Sequence, residues 1–193
     1  DGVYVQYPTG HRDTVETATA RAVRTGISQA SAHIQLARME EMDVDLVIVS
    51  SHLGARPSHY VWQGKVYSRS GASGKYPDFV SSTGYGSVTG LCGANCRHNF
   101  SPYFEGMENP FDQYDSEENQ KQYELEQRQR TLERRIRNTK RETMNWKNAA
   151  DSATDPALKS QFTAEYERKA ALLQKQNKAY NDFCESTGQK KRS

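Results

Sequence analysis

The chain has 193 residues, of which 35% are hydrophobic and 26% are charged. Its longest apolar run is Leu46–Val49, so no membrane-spanning segment is expected, since a spanning helix needs about 20 apolar residues. With 26 basic and 24 acidic residues, the net charge of +2 does not favour a strongly electrostatic nucleic-acid binder. Three cysteines are too few to cross-link a secreted, disulfide-stabilised domain of this length.

The two parts of the chain differ in composition. Twelve of the 13 glycines and five of the six prolines lie before residue 111. Because both residue types punctuate turns, residues 1–110 are predicted to form a compact α+β unit with a long helix, short strands and a long loop. Residues 111–193 are predicted to form an α-helical hairpin with a basic tail. The expected fold class is therefore α+β, in two domains.

The first elements in chain order are a strand, a helix and a second strand. Val3–Tyr7 alternates between apolar and polar residues, which is typical of a short strand. Apolar residues at helical spacing predict a helix from residue 12 or 13 to about Met42, capped by Asp13 or Thr14. Leu46–Ser50 is predicted to be a buried strand because it is short and β-branched.

Two further features are predicted before residue 110. Tyr60–Tyr67 consists of two aromatic and β-branched runs around Gln63 and Gly64, which is typical of a β-hairpin. Residues 69–90 are rich in glycine, serine and threonine and are predicted to be one long loop.

Two long helices are predicted in the second part, at about Glu117–Ala150 and Ala157–Glu185. Between them, Asp155 is a suitable N-cap and Pro156 fits the first helical position. So short a link favours an antiparallel pair. The expected packing stripes are Leu125, Leu132, Ile136 and Trp146 on the first helix, and Leu158, Phe162, Leu173, Tyr180 and Phe183 on the second.

The densest group of metal-ligand residues is Cys92, Cys96 and His98. Structural zinc takes four thiolate or imidazole ligands in a tetrahedron, so these three residues need a fourth from elsewhere. His59 is the first choice, because it immediately precedes the predicted hairpin, and His52 is the second. The alternative interpretation is that the cysteines are small buried side chains beside a hydrogen-bonded imidazole.

Catalysis is a second hypothesis for the same region. His52, Arg56, His59 and His98 are an alternative catalytic set, in which the imidazoles exchange protons during phosphodiester cleavage and an arginine stabilises the developing charge. A cysteine nucleophile would lack a third partner. A Cys92–Cys96 disulfide is disfavoured in a reducing cytosol.

A run of basic residues lies on the first helix of the predicted hairpin. Solvated helix surface is the favoured interpretation, and weak, salt-sensitive contact with DNA is the alternative. The residues that would make this contact are Arg128, Arg130, Arg134, Arg137, Lys140 and Arg141.

Several short sequence segments, in the same order, resemble those of the minor capsid protein 2 family of tailed bacteriophages. The resemblance extends from about Tyr7 to Gln189 and includes a basic helix like that at Gln127–Glu142. The segments are Gly54–Ser68, Tyr76-Pro77, Ser82–Gly86, Gly90–His98 and Pro102–Gly106.

This resemblance implies a virion component that is made in the bacterial cytoplasm and assembles with portal and capsid proteins. Family members are longer at the N-terminus, so the chain is expected to be a C-terminal portion. Related Mu-type head morphogenesis proteins carry a cysteine five residues before a hairpin glycine, and a closing His-Pro-x-Cys-Arg-Cys. Here His59 lies five residues before Gly64, Cys96-Arg97-His98 stands for Cys-Arg-Cys, and Gly93, next to Cys92, occupies the upstream histidine position.

Two functions follow as hypotheses. The resemblance favours a structural minor head protein over an enzyme, with zinc held by His59, Cys92, Cys96 and His98. The alternative is an effector delivered with the genome, of ribonuclease-like or ADP-ribosyltransferase-like type. Histidine use separates the two, because an imidazole that binds a metal is not free to act as an acid or base.

Overall fold

The computed structural model describes residues 3–192 and divides the chain into two compact units, Asp1–Gln120 and Lys121–Ser193. The first unit combines helices with short antiparallel strands and the second is helical, which confirms the α+β class. The predicted domain boundary at residue 110 stays a prediction. Within residues 3–192, no helix combines the length and the apolar character that crossing a bilayer requires.

A two-stranded ribbon precedes the first long helix. Strand β1 (Tyr4–Gln6) pairs antiparallel with β2 (Arg12–Thr14), which occupies residues expected to begin the helix. Helix α1 (Val15–Glu41) therefore starts directly after β2 and not at residue 12 or 13 as predicted. The Thr14 hydroxyl caps this helix by accepting the backbone N–H of Thr17 at 3.2 Å.

The core of the α+β unit lies between α1 and a three-stranded antiparallel sheet. Strand β3 (Leu46–Val49) is central, with β4 (Val66–Ser68) on one side and β5 (Phe100–Pro102) on the other. The predicted strand at residue 46 is thereby confirmed. The buried residues that pack together are Ala32, Met39, Val44, Val47, Val49, Trp62, Tyr67, Phe79, Leu91, Cys92 and Phe100.

The hairpin predicted at Tyr60–Tyr67 is wrong. Residues before Gly64 form the short helix α2 (Pro57–Tyr60) and a turn, and β4 pairs with β3 instead. Pro57 is pre-set for the first helical position, and Gly64 has the positive φ of +66° that the turn requires. The aromatic residues of the run are used for core packing, so their pattern imitates a strand.

The segment 69–90 is not one loop. It contains the short helix α3 (Phe79–Thr83), capped by the Asp78 carboxylate, which accepts the backbone N–H of Ser81 at 2.7 Å. Gly84, with a φ of +63°, ends the helix. Phe79 is buried in the core, so this helix ties the glycine-rich segment to the sheet.

The helical unit is an antiparallel pair, as predicted. Helices α4 (Ser116–Ser152) and α5 (Pro156–Thr187) are joined at Asp155, whose carboxylate accepts the backbone N–H groups of Ala157 and Leu158 at 2.7 and 3.1 Å. Leu158 itself is exposed rather than packed, because it lies in the first turn beside the link. The packed residues are Leu125, Leu132, Ile136, Tyr180, Phe183 and Cys184.

The basic tail folds back on the helical pair. Its Lys190 carbonyl accepts the Gln129 side-chain amide at 2.9 Å, and the backbone N–H of Arg192 donates to the Tyr180 hydroxyl at 3.0 Å. These two hydrogen bonds tie the backbone of the exposed tail to the helical unit.

Candidate metal centre

Three metal-ligand side chains converge in the α+β unit. The Nδ1 atoms of His59 and His98 are 3.4 Å apart, and each lies 3.7 Å from the Sγ of Cys96. His59 and His98 are each only 2% exposed, and Cys96 is partly buried. Three of the four residues predicted as zinc ligands therefore come together from two distant parts of the sequence.

Helix α2 and an aromatic ring fix the position of His59. The helix begins at Pro57, and the backbone N–H of His59 donates to the Arg56 carbonyl at 2.8 Å. The centroid of the Trp62 ring lies 4.4 Å from that of the His59 ring and 4.8 Å from that of the His98 ring. The indole thus forms an apolar wall against both imidazoles.

A series of tight turns places Cys96 and His98. The backbone N–H of Cys96 donates to Gly93, and that of Ala94 donates to Val88, at 3.1 and 2.7 Å. A Cβ at Gly93 would lie 2.4 Å from the Val88 carbonyl oxygen, a distance that real Cβ atoms do not show. Only glycine fits there, and the close packing holds the thiol against the imidazoles.

The three distances match the edges of a tetrahedral zinc site. Zinc binds nitrogen at about 2.0–2.1 Å and sulfur at about 2.3 Å. In a regular tetrahedron these bonds separate two nitrogens by about 3.3 Å and a nitrogen from a sulfur by about 3.6 Å. The observed edges of 3.4 and 3.7 Å agree with both values.

The outer nitrogen of each histidine has a carbonyl partner. His59 Nε2 lies 2.8 Å from the backbone oxygen of Thr89, and His98 Nε2 lies 2.9 Å from the side-chain oxygen of Gln63. Zinc-bound histidines commonly donate their second ring N–H to such an oxygen, which fixes the ring and its tautomer. The surroundings of the cluster therefore suit ligation through Nδ1.

Burial keeps both imidazoles neutral. It lowers the pKa of His98 to about 3, aided by the positive charges that His52 and His59 would carry, and it also lowers the pKa of His59. Burial raises the pKa of the Cys96 thiol, although backbone hydrogen bonds at His98 and Cys92 act in the opposite direction. A neutral imidazole presents a lone pair to a metal, and an ion would displace the thiol proton.

Cys92, the fourth predicted ligand, lies outside the three-residue cluster. Its Sγ is 3.9 Å from the carbonyl oxygen of His98, and burial raises the pKa of its thiol. A cleft of about 330 Å³, lined by both cysteines, His98 and polar residues of α1 that include Ser28, borders the cluster. His59 does not line this cleft, and Cys92 as the fourth ligand stays a prediction.

The alternative catalytic residues lie around the same cluster. The His52 ring stacks on His98 with centroids 4.4 Å apart, and its Nδ1 is 3.0 Å from the Arg97 guanidinium. The Arg56 guanidinium donates to the Ala94 carbonyl at 3.0 Å. These contacts hold the loop, and the burial of His98 does not favour proton exchange with a substrate.

Sequence reasoning missed Gln63 and Thr89 as partners of the histidines. The sequence places Gln63 only in a predicted turn, and Thr89 acts through its backbone, which no residue type reveals. A glutamine next to a tryptophan carries no spacing signal of its own. Only the fold shows that its amide reaches His98.

The predicted DNA-contact residues lie on α4 and differ in their surroundings. The Arg130 guanidinium pairs with Glu126 at 2.9 Å, and that of Arg128 lies 5.5 Å from the centre of the Phe183 ring. The other four are exposed: Arg134, Arg137, Lys140 and Arg141. Their contact with nucleic acid stays a prediction.

Comparison with known proteins finds a relative among phage structural proteins. The chain is 30% identical over 115 residues to a structural protein of Lactococcus phage LL-H, in a match that covers 56% of this chain and 31% of that protein. The chain thus matches about a third of the length of this curated relative. No solved structure matches the chain.

A family model then gives the particular assignment. The model described as phage minor capsid protein 2 matches residues 2–185, so the chain belongs to that family. The resemblance of the sequence segments to this family is thereby confirmed. A structural capsid role and a place in the virion follow from this membership together with the phage relative.

Proposed function

We propose that the chain assembles with portal and capsid proteins in the phage head, after synthesis in the host bacterial cytoplasm, and that a zinc ion stabilises its α+β unit. Family membership supports the assembly role. The buried His59, Cys96 and His98 cluster supports the metal.

One observation carries the zinc proposal, namely that the three donor atoms lie 3.4 and 3.7 Å apart. A thiol with two imidazoles is a donor set that suits zinc, whereas magnesium and calcium prefer oxygen ligands. Cys92, the next thiol along the loop, is the proposed fourth ligand.

The metal has a clear physical task in this unit. It would link α2 to the turns that precede β5, where glycine, serine and asparagine supply little apolar surface. Structural zinc sites in small domains contribute about 10–16 kcal/mol of binding free energy that acts as folding free energy. Such a link replaces hydrophobic packing that the loop cannot provide.

Metal analysis tests the proposal. Protein purified without chelator should contain about one zinc per chain, and a strong chelator should lower the Tm by more than about 10 °C. Cys96→Ser should remove the zinc. Cys184→Ser is the control, because Cys184 is also a free thiol but is buried in the helical unit, away from the cluster. A fully folded, metal-free protein whose Tm ignores the chelator would refute the zinc site.

The assembly proposal has a separate test. Zinc-loaded protein should bind the purified portal protein or the purified major capsid protein of the same phage in a pairwise assay. Binding to neither protein, across a range of salt concentrations, would contradict direct docking.

Contact with packaged DNA is a second candidate function, supported by the charge pattern of α4. Residues 128–148 carry eight basic side chains and two acidic ones. Both acids are engaged, Glu133 with the Tyr180 hydroxyl and Glu142 with Lys169. Arginines 134, 137 and 141 are exposed and recur at helical spacing, and residues 134–141 include no acidic residue. Such a surface suits a polyanion.

No observation favours the effector hypothesis. Its proposed acid and base, His59 and His98, are buried against Trp62 and the Cys96 thiol. A high thiol pKa also makes Cys96 a weak nucleophile.

A further inference from the structure

We propose that Gln63 is the positioning residue of the metal centre: its side-chain oxygen turns His98 so that Nδ1, and not Nε2, faces the ion. This inference rests on the zinc proposal and adds the ligating atoms and the residue that selects them. The Thr89 carbonyl does the same for His59.

The orientation of the Gln63 amide follows from its two contacts. Its side-chain oxygen lies 3.1 Å from the backbone nitrogen of His52 and 2.9 Å from His98 Nε2. A backbone N–H can only donate, so the atom facing it must be the amide oxygen. That oxygen can only accept, so His98 Nε2 carries the hydrogen and its Nδ1 carries the lone pair.

The same reasoning fixes His59. Its Nε2 lies 2.8 Å from the Thr89 carbonyl oxygen, which can only accept. His59 Nε2 is therefore protonated and His59 Nδ1 presents a lone pair. The two lone pairs point into one small space, with the nitrogens 3.4 Å apart.

The cluster then has too few hydrogen-bond donors for its two Nδ1 lone pairs. Among residues 3–192, the one hydrogen-bond donor found beside both Nδ1 lone pairs is the Cys96 thiol, 3.7 Å from each, and one proton cannot satisfy both. A divalent cation solves this, because it accepts both lone pairs and the thiolate while the thiol proton leaves to solvent. The hydrogen-bond pattern thus supports a metal independently of the distances.

Gln63 is held firmly enough to act in this way. Its side chain is 5% exposed, and its backbone N–H donates to the His59 carbonyl at 3.1 Å. The following residue, Gly64, donates its backbone N–H to Val49 of β3 at 3.0 Å. The amide is therefore anchored to both α2 and the central strand.

The zinc affinity of variants of the 193-residue chain tests the role. Gln63→Leu leaves His98 Nε2–H without its acceptor and should weaken zinc binding by about 10- to 100-fold in competition with a chromophoric chelator. Gln63→Glu keeps the acceptor and should bind at least as tightly as the wild type. Gln113→Leu is the control, because Gln113 donates to the Gly64 carbonyl at 3.2 Å and is not a partner of either imidazole.

The outcomes separate this inference from the zinc proposal. If the wild type binds no zinc, the zinc proposal itself fails. If Gln63→Leu binds zinc as tightly as the wild type, or Gln63→Glu loses ten-fold, zinc stands and the role of Gln63 is refuted. Should Gln63→Leu not fold, the Glu variant and ¹⁵N NMR of the zinc-loaded wild type decide, with Nε2–H tautomers expected for both histidines and Nε2 ligation overturning the inference.

Discussion

The Nδ1 atoms of His59 and His98 face each other at 3.4 Å in the interior of the α+β unit. The two residues come from different elements, α2 and the segment before β5, so their approach is a product of folding. Two neutral imidazoles gain little from this arrangement by themselves. The proposed zinc ion, held between them, would account for the distance, the burial and the outer hydrogen bonds together.

The pH dependence of stability should reveal the buried imidazoles. The pKa of His98 is about 3 in the folded protein and 6.5 in the unfolded chain, so the unfolded state binds more protons between these values. Stability of the chelated protein should thus be complete above about pH 7 and fall as the pH drops below 6.5. At about pH 5 the loss from this residue should be about 2 kcal/mol, measured by urea unfolding.

Two further expectations sharpen that measurement. The pKa of His59 is also lowered by burial, so it adds to the loss in the same direction. Substituting the exposed His33 on α1 with glutamine should leave the pH profile unchanged. Equal stability at pH 7 and pH 5 would show that the imidazoles are not buried as described.

Adding even a methyl group at Gly93 should destabilise the turn. In Gly93→Ala the new methyl group meets the Val88 carbonyl, so the turn must move and displace Cys96. We expect a loss of about 1–3 kcal/mol in unfolding free energy together with reduced zinc content. Gly74→Ala is the control, because nothing lies within 4 Å of a Cβ at that position. Equal effects in both variants would contradict the role of the turn.

Removing one hydroxyl should loosen the tail from the helical unit. The Tyr180 hydroxyl accepts from the Gln129 amide at 3.2 Å and from the backbone N–H of Arg192 at 3.0 Å. Tyr180→Phe removes the acceptor of the Arg192 N–H and one of the two acceptors of the Gln129 amide. It should cost about 1–3 kcal/mol by urea unfolding, with faster trypsin cleavage after Lys190. Tyr166→Phe, on the partly exposed side of α5, should change neither quantity.

Binding to DNA should weaken steeply with salt if the α4 surface contacts phosphates. Replacing Arg134, Arg137 and Arg141 together by glutamine should reduce the slope of log K against log salt by up to about 3, measured by fluorescence anisotropy on duplex DNA. Arg168→Gln on α5 is the control, since this arginine pairs with Glu165 at 2.5 Å. An unchanged slope in the triple variant would exclude this surface.

Long, regular elements of the fold were predictable, whereas short ones were not. The helix link at Asp155 and Pro156 was found because capping and proline preference act locally. Helix α3 and strand β5 were missed, because five and three residues carry too weak a periodic signal. The false hairpin at Tyr60–Tyr67 arose because aromatic residues packed against the core share the composition of a strand.

The sequence by itself determined the family and the α+β class, and it proposed His59, Cys92, Cys96 and His98 as candidate ligands, since each depends on residue identity and local order. Only the tertiary structure decided that their donor atoms meet, which nitrogens face inward, and that Gln63 holds one of them. Those facts depend on distances between residues far apart in the chain. Such distances are set by packing and backbone turns, which no local pattern encodes.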